Sequence, residues 1–170
     1  VSRLDPAQFQ QCFIQWAQSV NERTNGELIA IDGKVLRGSY HRDDRQSAIH
    51  MVSAFASANG VIMGQLKTDA KSNEITAIPA LLKLLDIKGC LVSIDAMGCQ
   101  IDIASTIVKQ GGDYLLAVKG NQELLHRALK PLHSATTDPA NITVKKGHGR
   151  IEAREYHVLP AGDVVRHFPE

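Results

Sequence analysis

Residues 28–44 read LIAIDGKVLRGSYHRDD, and the interpretation of this stretch decides the fold. Leu28, Ile29, Ala30 and Ile31 form a short apolar run of the kind that makes a buried strand. The run stops at Asp32, and Gly33, Lys34, Arg37, His41, Arg42 and Arg45 follow. Asp-Gly is a turn signal, because both residues tolerate turn backbone and the Asp side chain can bond its own chain two residues on. A carboxylate at the end of a buried strand can equally be a group held in place for chemistry. What the rest of the chain sends to the same edge separates the two.

Upstream, PAQFQQCFIQWAQSV has Asp5 before it as a cap, Pro6 at the first helical position, and Phe9, Cys12, Phe13, Trp16 and Val20 at helical spacing. An amphipathic helix is expected, with Trp16 in the core rather than serving as a base-stacking platform. Downstream, residues 48–56 and 61–67 flank Ser57-Ala58-Asn59-Gly60 and read as a hairpin, so residues 28–32 open a three-strand meander.

KSNEITAIPALLKLLDIKG follows, with Ser72 or Asn73 as cap and Ile75, Ile78, Leu81, Leu82 and Leu85 as one apolar face; Pro79 implies a kink or a delayed start. CLVSID is a continuous apolar run ending on Asp95. A helix through Ile103, Ala104, Ile107 and Val108 stops at Gly111-Gly112, DYLLAVK reads as another buried strand, and GNQELLHRALKPL as a helix. SATTDPAN is a polar loop before a strand-like tail.

A meander followed by strands that alternate with helices argues for an α/β fold, a mixed sheet flanked by helices. The ribonuclease-H-like arrangement has this order of elements. In such a sheet the strands ending on Asp32 and Asp95 are neighbours, so both carboxylates reach one edge. Hard oxygen ligands there suit Mg²⁺ or Mn²⁺ and in-line attack at a phosphodiester. The plainer alternative is that each aspartate only caps the backbone that follows it.

Composition limits the other classes. The 170 residues are 44% hydrophobic and 22% charged, enough for a full core, and the formal charge is +1, so any basic patch is local. Cys12, Cys90 and Cys99 lie in patterns that read as buried helix or strand, without C-x-x-C spacing, and are expected to be reduced thiols in a cytoplasmic protein. The seven histidines lack zinc-ligand spacing. No apolar run is long enough for a membrane span, so no membrane partner is expected.

IAIDGKVLRGS, NEITAIPALLKLLD, VSIDAMGCQ, YLLAVKGNQ and GHGRIEAREYHV, in that order, resemble the H-repeat-associated proteins, bacterial insertion-sequence transposases of ISAs type. The resemblance runs over nearly the whole chain. It implies a ribonuclease-H-like catalytic domain of the Asp-Asp-Glu class, with Asp32 as the first acidic residue and Asp95 as the second, both binding Mg²⁺ or Mn²⁺. The partners it implies are double-stranded DNA at insertion-sequence ends and further copies of the chain in a homo-oligomer.

The third carboxylate is expected on a later helix, in a stretch like R-x-H-W-x-I-E-N after a β-rich insertion, and no such stretch occurs before Glu170. Within the chain the candidate is Glu152, whose alternative role is as a salt-bridge partner of Arg154. Residues 1–26 are then an N-terminal helix and linker, 27–133 the catalytic core, and 134–170 the start of the insertion. The core would be incomplete at its C-terminus, with one sheet face uncovered, and the protein a truncated transposase or an inactive remnant that at most binds DNA or protein. Lys34, Arg37, Lys119, His148 and Arg150 are candidate DNA contacts; a solvated basic loop, partly neutralised by Asp43 and Asp44, would look the same.

Overall fold

The computed structural model of the chain describes residues 4–20, 26–36, 49–68, 74–134, 139–147, 149–160, 162 and 164. They fall in two compact units, Val1–Ala117 and Val118–Glu170. The first begins with α1 (Pro6–Val20), whose start is set as expected: the Gln8 N–H donates to Asp5 Oδ1 at 2.8 Å. Its five strands are β1 (Leu28–Val35), β2 (His50–Ala56), β3 (Val61–Thr68), β4 (Leu91–Ile94) and β5 (Asp113–Leu116). The sheet order is β3-β2-β1-β4-β5. β1 runs antiparallel to β2, and β2 to β3, while β4 is parallel to both β1 and β5. Order and directions are those of the ribonuclease-H-like sheet.

The alternation of β1 puts Ile29 and Ile31 on one face, level with Ala54 and Ala56 of β2 and Val92 and Ile94 of β4. On this face pack Ile78, Leu81 and Leu82 of α2 (Glu74–Leu82) and Ile103 and Ile107 of α3 (Ile101–Lys109), all buried. Each such side chain contributes roughly 1.5–3 kcal/mol by leaving water. The opposite face carries exposed Phe55 and Leu115. The caps Ser72 and Asn73 lie outside the described residues.

Three expectations need correction. β1 does not end at Asp32: its pairing with β2 continues to Val35↔His50, and the Leu36 N–H donates to the Ile49 carbonyl at 2.8 Å. The turn signal of Asp-Gly yields to a partner strand that is long enough to hold both residues extended. In α1 the buried positions are Ile14 and Ala17, while Phe9, Cys12 and Trp16 are exposed. The packed face is turned by about one residue, roughly 100°, because α1 lies against Gly64 of β3. A Cβ built there would sit 3.8 Å from Ile14 Cγ1. Finally, β5 is not buried: it is the sheet edge, with Tyr114 and Leu115 exposed.

The second unit has a 3₁₀ turn at Gly120–Gln122, α4 (Glu123–Ser134), and an antiparallel hairpin of β6 (Asn141–Gly147) and β7 (Arg150–Tyr156). Gly149, at φ 75°, lies in the left-handed region that favours glycine at such a tight reversal. No helix among the described residues is long and apolar enough to cross a membrane.

Candidate active site

The last parallel pair between β1 and β4 is Ile31↔Ile94. Each is followed by an aspartate: Asp32, still within β1, and Asp95, the first residue past β4, at the end of the parallel pairing. Both side chains are exposed, whereas Ile31 and Ile94 are buried. The apolar pair anchors the register, and the carboxylates emerge where the parallel pairing ends.

The two aspartates are held differently. Asp32 sits within β1, paired with Ser53 of β2, and its Oδ2 lies 3.5 Å from Lys34 Nζ two residues along the strand. Both side chains of this ion pair are well exposed, so water and salt screen it and it contributes little to stability. A stronger cation or a phosphate can therefore replace either partner cheaply. Asp95 caps the 3₁₀ turn Ala96–Gly98: its Oδ1 accepts from the Met97 N–H at 3.0 Å. The plainer reading of Asp95 is thus seen, and it is compatible with the chemical one. The cap fixes the side-chain rotamer and uses one oxygen, so the second is offered from a fixed position.

Hard carboxylate oxygens on adjacent strands suit a hard divalent cation, which takes its remaining positions from water and phosphate. Among the described residues no three His, Cys, Asp or Glu side chains cluster as a metal site. The Cys99 thiol close by in sequence is pushed up by burial and is a core group rather than a nucleophile.

The other candidates divide between the units. Lys34 borders Asp32. Arg37, with His41, Arg42 and Arg45, lies outside the described residues, as does His148. Lys119 is exposed and precedes the 3₁₀ turn of the second unit. Arg150 and Glu152 share β7, where Arg150 Nη2 reaches Glu152 Oε1 at 2.8 Å and Arg154 Nη2 reaches Oε2 at 3.0 Å. The pairing of Glu152 with Arg154 was legible in the sequence; its second arginine was not, although the R-x-E-x-R alternation at residues 150–154 carries the signal.

Sequence reasoning also missed Ser53 and Gln65. They stand level with Asp32 across β2 and β3, and the Gln65 side-chain amide donates to Ser53 Oγ at 2.9 Å. Nothing in their local pattern singles them out, because only the register brings them to this row.

Residues 23–161 match the family model described as the transposase DDE domain. The chain belongs to the transposase DDE domain family. YbfD of Escherichia coli K12, an H repeat-associated candidate transposase by name, is 48% identical over 174 residues, which take in 99% of this chain and 68% of YbfD. YncI of Escherichia coli O157:H7, also a candidate transposase by name, is 54% identical over 159 residues, 91% of this chain and 41% of YncI. The chain spans about half the length of the curated relatives it matches. The piggyBac transposase in its synaptic complex with hairpin DNA gives a TM-score of 0.49 at 13% identity, over 83% of this chain and 32% of that one. The ribonuclease-H-like assignment rests on strand order and direction. Within this transposase domain Asp32 and Asp95 are the residues that follow the last β1–β4 pair.

Proposed function

We propose that this chain is the catalytic core of a metal-dependent DNA transposase, with Asp32 and Asp95 as two of its acidic ligands. The observation that supports the proposal is the Ile31↔Ile94 register, after which each of the two neighbouring segments continues directly into an aspartate. The substrate is double-stranded DNA at insertion-sequence ends, and the protein works in the cytoplasm as a homo-oligomer. Lys34 holds a DNA phosphate beside the carboxylates; Arg37, Lys119, His148 and Arg150 add further backbone contacts.

Asp32 and Asp95 would hold Mg²⁺ or Mn²⁺, which when bound supplies a Lewis acid for attack on a phosphodiester and charge stabilisation for its leaving oxygen. Asp32 is free to turn toward the cation because its tie to Lys34 is weak, and Asp95 is pre-set by its cap. Three carboxylates ordinarily divide this work in the Asp-Asp-Glu class. Asp32 and Asp95 alone would bind one cation weakly.

Calorimetric titration of the chain with Mn²⁺ tests the site. Asp32→Asn and Asp95→Asn are each expected to weaken binding by about tenfold or more, and together to abolish it. Asn also accepts from a backbone N–H, so the cap on Met97 persists and folding is spared. Unchanged Mn²⁺ affinity in the double variant would remove Asp32 and Asp95 as the metal site.

A further inference from the structure

The β6–β7 hairpin has two unlike faces. Because directly paired residues share a face, Thr143 with Arg154, Lys145 with Glu152, and Gly147 with Arg150 lie together, while Val144 with Ala153 and Lys146 with Ile151 point the other way. The first face holds three cations around one carboxylate. Glu152 is half-buried among them and bridges two arginines, one through each oxygen, while both guanidiniums remain mostly exposed. At the end of this face Tyr156 is held below its ordinary phenol range, first by a hydrogen bond with Thr143 and further by Arg154 and Lys145.

We propose that this face binds the phosphate backbone of duplex DNA, and that Glu152 is a positioning residue that holds Arg150 and Arg154 as a fixed pair. This rests on the reading of the chain as a DNA-acting protein. A guanidinium has five N–H donors in a planar fork, so each arginine can spend one edge on Glu152 and present another to a phosphate oxygen. Without the carboxylate both long side chains would have to be ordered at the moment of binding, at a cost in rotamer entropy. A two-stranded ribbon is also narrow enough to follow a DNA groove.

The sign of one substitution separates this from simple charge attraction. Glu152→Gln raises the net charge of the face by one, so coulombic attraction alone makes it bind DNA more tightly. The positioning role makes it bind more weakly, by about three- to tenfold at fixed salt, with a log K against log salt slope reduced by about 1. Arg150→Lys keeps the charge and loses the planar fork; it too is expected to bind several-fold more weakly.

Binding of the full chain to a short random-sequence duplex is measured by fluorescence anisotropy across a salt series, with the Val144 and Ala153 amide shifts confirming the hairpin in each variant. Weaker binding by both variants with the hairpin intact is the expected result. Tighter binding by Glu152→Gln, or no loss in only one of the two variants, overturns the positioning role, whereas unchanged binding by both variants overturns the contact of this face with DNA as well. Failure of the unsubstituted chain to bind the duplex even at low salt overturns both this inference and the DNA-acting reading beneath it.

Discussion

Gly98→Ala is expected to destabilise the first unit by about 3 kcal/mol, the upper end for overpacking by one methyl group. Gly98 is buried in the 3₁₀ turn after β4, and its N–H donates to the Asp95 carbonyl at 3.1 Å. A Cβ at this position would overlap Ile94 Cγ2, stand 3.1 Å from Ile94 Cβ and 3.5 Å from Ile78 Cδ1. Ile94 cannot swing away, because a β-branched side chain has few χ1 alternatives and this one is packed in the core on β4. The turn must lift instead, taking the Met97 N–H away from Asp95. Urea denaturation should therefore show a lower midpoint at similar slope, and Mn²⁺ affinity should fall in the same variant. A variant as stable as the parent would mean that the turn is not held against β4 as described.

That coupling shows why the site was only partly legible in the sequence. The two aspartates could be picked out because each follows an apolar run, and parallel pairing preserves such matched positions: Ile31 and Ile94 are the last buried residues of both strands. The order of elements was legible for a similar reason, since helical and strand periods in this chain are long and well separated. What could not be read were the consequences of neighbours. The extension of β1 beyond Asp32 depends on how far β2 runs beside it. The choice between two apolar stripes on α1 depends on Gly64, which lies on another strand. The exposure of β5 depends on its place at the end of the strand order, and an apolar run such as Tyr114-Leu115-Leu116 looks the same at an edge as at a centre.

Gly64 also controls the second large effect. Leu81→Ala is expected to cost about 4–5 kcal/mol, toward the upper part of the range for such truncations. Leu81 is fully buried in the cluster shared by the sheet and α2. The cost is high because the neighbour opposite Leu81 cannot collapse into the hole: it is Gly64, which has no side chain to move. A Cβ at Gly64 would lie 3.2 Å from both Leu81 Cδ1 and Leu85 Cδ2. By itself Gly64→Ala therefore crowds two core leucines and is expected to cost about 1 kcal/mol. In the Leu81→Ala background the same methyl group enters the vacated space and restores contacts. The double variant should then be more stable than the sum of the single losses by about 1 kcal/mol, measured as the coupling energy of a double-mutant cycle in urea. Strict additivity would mean that Leu81 and Gly64 do not share this space, and that α2 sits on the sheet elsewhere than at β3.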